Sequence, residues 1–143
     1  MKGYLDQLQC KSSRLWAFLF EIRFYWVLGT GFVAWIFPQP TYAMPWSALL
    51  VLALVEEAVF RAGLQYCLNH WFKNKYIFPG LSYANLLVAL VFVCAHLVHH
   101  PQFWAVLTFF PSLIFGWAWD RYSNLLPCWL LHFFYNFLYF NRI

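Results

Sequence analysis

Five apolar runs of helix length alternate with short polar or proline-rich breaks along this chain of 143 residues. They cover about residues 15–37, 46–72, 82–99, 102–119 and 125–140. None shows the ~10-residue alternation of a membrane β-strand, and backbone groups in lipid must be satisfied internally. The pattern therefore predicts an all-α fold, a polytopic membrane bundle of about five transmembrane helices. Pro38, Pro40 and Pro45 make a loop after the first run. Lys73, Asn74 and Lys75 close the second, and Pro79-Gly80 marks a turn before the third. Pro101 limits the third run, and a polar turn at 120–124 precedes the last. Pro111 and Gly116 inside the fourth run are expected as kink or close-packing points. Residues 1–14 read as a polar cytoplasmic lead-in, and 15–143 as a single transmembrane domain.

The polar residues inside these runs carry the chemistry. The second run, Leu49 to Asn69, holds Glu56, Glu57 and Arg61 near its middle. A charge at bilayer depth costs about 2.5–3.5 kcal/mol, so three in one span need a reason. Glu57 and Arg61 are one helical turn apart and can pair, and Gln65 and Asn69 continue the same row. Glu56 points about 100° away and faces a different neighbour. His96 lies in the third run, and His132 and Asn136 share a face of the last. Singly these signals are weak: a lone helical histidine is more often a packing residue, and Glu57–Arg61 alone reads equally well as a structural pair. Together they are expected to converge, because polar groups in lipid face the bundle interior. By rise per residue, Glu56, His96 and Asn136 all fall between the midplane and the outer surface. A site there opens outward or laterally.

Composition agrees with a bilayer protein: 64% of residues are hydrophobic and 10% charged, where a soluble domain carries about 25% charge. The net charge of +4 matters less than its placement. Lys and Arg fall in the lead-in, the 73–75 loop and the 120–124 turn, and are missing from the 38–45 and 99–102 loops. That puts the N-terminus in the cytoplasm and the C-terminus outside, with Arg142 opposing. A cleaved signal peptide ending near Ala43 is the competing reading of the first run. Glu21 and Arg23 either snorkel or pair with another helix. Cys10, Cys67, Cys94 and Cys128 form no C-x-x-C pair and read as small buried hydrophobes. His70, His99 and His100 read as helix-end or loop residues.

The order E-E-x-x-x-R (Glu56, Glu57, Arg61), F-x-x-x-H (Phe92, His96) and H-x-x-x-N (His132, Asn136), each in its own run, resembles the CAAX-processing type II (Rce1-like) intramembrane proteases. The resemblance covers about Trp46 to Phe140 as a four-helix catalytic core and leaves one extra N-terminal helix. It implies a glutamic-type intramembrane endopeptidase that cuts near the C-terminus of a membrane-associated substrate. The short chain is similar to a small bacterial branch that works on C-terminal sorting tails, the JDVT-CTERM system. Desolvation suits Glu56 to act as general base and later acid, with His96 polarising the same water. His132 and Asn136 side by side can donate to the developing oxyanion. Glu57 and Arg61 support that site. The family pattern makes the first glutamate the catalytic one, while spacing alone leaves Glu56 and Glu57 open.

No cofactor and no metal are expected. Zn²⁺ on two Glu and two His is the chemical alternative, but no H-E-x-x-H helix is present and a metal leaves Asn136 without a role. A non-catalytic immunity or scaffold protein of the same fold, and a small transporter or proton relay, are the non-enzyme alternatives. The expected partners are the bilayer and a peptide or protein substrate with a C-terminal tail or transmembrane segment, and not nucleic acid. Substrate-gripping helices that a short chain lacks could come from a second copy in an oligomer.

Overall fold

The computed structural model describes residues 16–38, 40, 42–99 and 103–141. The lead-in with Cys10, and the expectations on His100, Pro101, Gln102 and Arg142, lie outside the described residues. Within them the chain forms five helical stretches and one small hairpin.

The first stretch is not one rod. A 3₁₀ turn, Ala17–Phe20, stops at Glu21, whose backbone is extended, and α1 follows at Ile22–Gly29 before tightening into a 3₁₀ segment, Thr30–Ile36. The second stretch is continuous: α2 (Trp46–Glu57) passes into a π-helical segment, Ala58–Gln65, and then into α3 (Tyr66–Trp71). Lys73 and Asn74, both at positive φ, end it.

The all-α expectation needs one correction. Strand β1 (Tyr76–Phe78) pairs antiparallel with β2 (Leu81–Ser82) across the Pro79-Gly80 turn. Tyr-Ile-Phe favours extended backbone, and Gly80 takes the φ of +97° that the reversal requires. Ser82 then caps α4 (Tyr83–His99), its Oγ accepting from the Asn85 amide at 3.0 Å.

A 3₁₀ segment, Phe103–Thr108, leads into α5 (Phe109–Tyr122). Pro111 falls in the first turn of α5, where a missing N–H costs little, so it starts this helix rather than kinking it. Ser123 ends α5 in the left-handed region. Asn124 caps α6 (Leu125–Phe140) through a 3.0 Å bond from the Leu126 amide.

Helix α6 is the central element, packed against α2, α5 and the 30–36 segment, while α4 lies against α5. Trp129 Nε1 donates to the Leu50 carbonyl at 2.9 Å and ties α6 to α2. The N-terminal stretch docks through Phe18 and Phe24 onto Phe115, Ala118, Cys128, Leu131 and Tyr135. Tyr135 Oη donates to the Val27 carbonyl at 2.6 Å and also bonds Thr30. Gly31 permits this close approach, since a Cβ there would lie 2.9 Å from the Tyr135 ring.

The distribution of side chains is inverted relative to a water-soluble domain. Glu57, Arg61, Gln65, Asn85 and Ser112 are fully buried, while Val51, Val55, Val59, Leu90 and Val91 face outward. Apolar surface of this extent marks contact with a membrane or partner. Cys128 is buried, but Cys67 and Cys94 are exposed on that apolar exterior, against the expectation of buried thiols.

No helix among the described residues is by itself long and apolar enough to cross a membrane. The five uniform spans expected from the sequence are thus not seen as such. Helices α4 and α6 have 17 and 16 residues, against the ~20 that a span needs. The longer run from Trp46 to Trp71 carries Glu56, Glu57 and Arg61 in its middle.

Candidate active site

The site grows from one face of the α2–π–α3 stretch. Glu57, Arg61 and Gln65 are all fully buried, at the i, i+4 spacing that lines them up along the helix. Arg61 Nε donates to Glu57 Oε2 at 3.2 Å, and Nη1 donates to Gln65 Oε1 at 2.9 Å. Its Nη2 donates to the Ser112 carbonyl at 2.9 Å and bonds Ser112 Oγ at 2.7 Å. Gln65 Nε2 then donates to the Gly116 carbonyl and to Asp120 Oδ1, both at 2.9 Å, and Asn69 Nδ2 reaches the same Oδ1 at 2.7 Å. A buried guanidinium is tolerated when its charge and donors are answered, and here Glu57 pairs with the charge and each of the three nitrogens donates at least once.

The answering groups form a second row on α5: Ser112, Gly116 and Asp120, again four residues apart. Sequence reasoning missed this row. Its spacing is visible in the sequence, but Gly116 reads there as a packing point and Asp120 as part of a turn. Gly116 is a close-packing position in fact. The Asn85 side chain fills the place a Cβ would take, and its Nδ2 donates to the Leu113 carbonyl at 2.9 Å.

His132 of α6 joins the two glutamates. Its Nδ1 lies 2.8 Å from Glu57 Oε1. A carboxylate oxygen accepts, so Nδ1–H donates there, leaving Nε2 to face Glu56 Oε2 at 3.7 Å. The imidazole is clamped by ring contacts, stacked on Phe115 at a centroid distance of 4.6 Å and edge-on to Phe92 at 6.0 Å. Glu57 thus holds both Arg61 and His132, whereas Glu56 keeps a buried oxygen, Oε2, with no hydrogen-bond partner among the described residues.

The structure brings Glu56, Glu57, Arg61 and His132 together directly. His96 of α4 is half-buried beside Phe92: its Nδ1 lies 3.0 Å from the Phe92 carbonyl and its ring packs on Phe92 at 4.3 Å. Phe92 packs against both histidine rings and so links His96 to the group. Asn136 is one turn along from His132 on α6, half-buried. His70 is exposed at the end of α3. Among the described residues no group of three or more His, Cys, Asp and Glu gathers as a metal-binding set.

A profile of the family described as type II CAAX prenyl endopeptidase Rce1-like matches residues 38–138. That stretch includes Glu56, Glu57, Arg61, His96, His132 and Asn136, and it is most of the chain. The protein belongs to the Rce1-like CAAX endopeptidase family. Proteins of this family are membrane proteins, in keeping with the apolar exterior. No curated protein and no solved structure matches the chain.

Proposed function

We propose that this chain is a glutamic-type intramembrane endopeptidase that hydrolyses a peptide bond near the C-terminus of a membrane-associated substrate. One observation carries the reading. A buried, unpartnered Glu56 oxygen faces the Nε2 of an imidazole whose Nδ1 is bound by Glu57. A carboxylate and an imidazole nitrogen at this separation can share one water molecule.

In the proposed step Glu56 takes a proton from that water while its oxygen attacks the scissile carbonyl carbon. His96, its Nδ1 bonded to the Phe92 carbonyl, polarises the same water in this proposal. The carbonyl π bond opens to an oxyanion. His132, doubly protonated in this step with Nδ1–H on Glu57 and Nε2–H on the oxyanion, and the Asn136 amide donate to it. The proton on Glu56 passes to the amide nitrogen, the C–N bond breaks, and a carboxylic acid and an amine leave, with Glu56 returned to its starting form. Arg61 holds the Glu57 carboxylate in place, so that His132 keeps one orientation. Lys73, Lys75 and Arg121 at one end of the bundle favour a multi-pass topology with that end in the cytoplasm.

The test is cleavage of an internally quenched peptide carrying a farnesylated C-terminal CAAX box by the full chain in detergent. Mass spectrometry of co-expressed membrane proteins with C-terminal tails accompanies it. Glu56→Gln is expected to lower the rate by about 10²–10⁴-fold with the fold intact. Wild-type rates from E56Q would overturn the role of Glu56. A wild-type chain that leaves every tail uncut would point to a non-catalytic member of the family.

A further inference from the structure

The row on α5 ends in a group the mechanism above does not use. Asp120 stands at the far end of an unbroken chain of bonds that runs through Gln65 and Arg61 to Glu57 and His132. Gln65 is the link whose direction matters, because its amide has two unlike ends. The Nε2 end meets two groups that can only accept, the Gly116 carbonyl and Asp120 Oδ1. The Oε1 end meets Arg61 Nη1, which can only donate. Were the amide reversed, an N–H would face the guanidinium and an oxygen would face a carboxylate. Both contacts would then repel around a fully buried Gln65, where unmade bonds are most costly.

Building on the proposed reaction, we propose that Asp120 is a positioning residue for the active site. By accepting from Gln65 it fixes the amide that presents Oε1 to Arg61, and through Arg61 it sets the Glu57–His132 pair. Asn69 supports this by donating to the same Oδ1 and holding the Asp120 carboxylate in place. Asp120 Oδ2 is buried and has no hydrogen-bond partner among the described residues, so the positioning role is placed on Oδ1. Asparagine can supply that acceptor and put its amide nitrogen where Oδ2 stands, whereas alanine cannot.

The test uses the full chain with ¹⁵N-labelled histidine in detergent, in which the His132 ring nitrogens report their hydrogen bonds whether or not any peptide is cut. Asp120→Ala is expected to move the His132 Nδ1 resonance and to lower kcat on the farnesylated peptide about tenfold with KM unchanged. Asp120→Asn is expected to restore both. In a Gln65→Ala background D120A is expected to add nothing further, because the coupling runs through Gln65. If D120A does not fold, Asn69→Leu frees the carboxylate to turn away and should move the His132 resonance in the same direction. An unmoved His132 signal in the folded variant, or D120N behaving like D120A, would overturn the proposal. Because the resonance is read without substrate, a failed cleavage assay would count against the reaction and not against this positioning role.

Discussion

Glu57 and His132, 75 residues apart in the chain, meet through a 2.8 Å hydrogen bond in the middle of the bundle. The bond makes Glu57 a shared anchor, with Arg61 on one oxygen and the imidazole on the other. Glu56, next to it in sequence, is left without an equivalent partner. Two adjacent glutamates thereby acquire different chemistry from the helices that face them.

Removing the cation from this anchor should be far more damaging than its single charge suggests. Arg61→Leu leaves Glu57, Gln65 and Ser112 buried without their partner, and breaking such a network costs about 3–5 kcal/mol. Arg61→Lys is expected to rescue little, since one ammonium cannot replace three donating nitrogens in a fixed plane. Denaturant unfolding in detergent would measure both, and an R61L variant as stable as wild type would contradict the buried pairing.

The contrast is the pair between Glu21 and Arg121. Arg121 Nη2 lies 2.7 Å from Glu21 Oε2, but about a third of each side chain is exposed. The Glu21 bond pushes the Arg121 guanidinium further above its already high range. Glu21→Gln should cost less than about 1 kcal/mol, and the loss should shrink as salt is raised. Melting curves at low and high ionic strength would decide it.

Gly116→Ala should fail for steric reasons. The new methyl group runs into the Asn85 side chain, and overpacking a full core costs about 1–3 kcal/mol. Asn85→Ala would make room, so the double variant is expected to be more stable than the sum of the two singles. Additive losses would mean that α4 and α5 yield easily at this point.

Tyr135→Phe should loosen the N-terminal stretch while sparing the glutamates. The substitution removes the bonds to Val27 and Thr30 at a cost of about 0.5–1.5 kcal/mol. Amide exchange should rise across 22–36 and stay unchanged across 56–65. A rise in both regions would tie the first helix to the site.

A pH titration can read the charge at the end of the polar row. The Tyr76 hydroxyl is raised above its ordinary range, first by burial and then by Asp120. A nearby negative charge opposes phenolate formation, so Asp120→Asn should lower the Tyr76 midpoint only part of the way back. Ring ¹³C shifts of labelled tyrosine would follow it, and an unmoved midpoint would separate the two residues electrostatically.

Much of this site can be read from spacing. The row Glu57, Arg61, Gln65 and Asn69 follows from i, i+4 periodicity alone, and so does the pairing of Glu57 rather than Glu56 with Arg61. Which carboxylate His132 meets does not follow, because one-dimensional spacing leaves the rotation of α6 against α2 undetermined. His132 in fact approaches both. The burial of Cys67 and Cys94 was misread for a related reason: with apolar residues on the outside, an apolar run no longer tells which face is inward. The hairpin was hidden in a connection too short to show an alternating pattern. The π segment contains Gly63 and no Pro, and a single Gly inside an apolar run does not announce a widened helix. It arises where the Arg61–Gln65 row lies against Ser112 and Asp120, a fit that only the folded pair of helices defines.

That eight-residue widening of the helix, Ala58–Gln65, has a consequence for how the chain can change. Deleting one residue within it would restore an ordinary α-helical pitch. It would also rotate Glu56 and Glu57 by about 100° relative to Gln65 and Asn69. Point substitutions on the outer surface leave that phase untouched, whereas a one-residue deletion between the two halves of the row uncouples the carboxylates from their anchor. Length, as much as identity, is under constraint between position 57 and position 65.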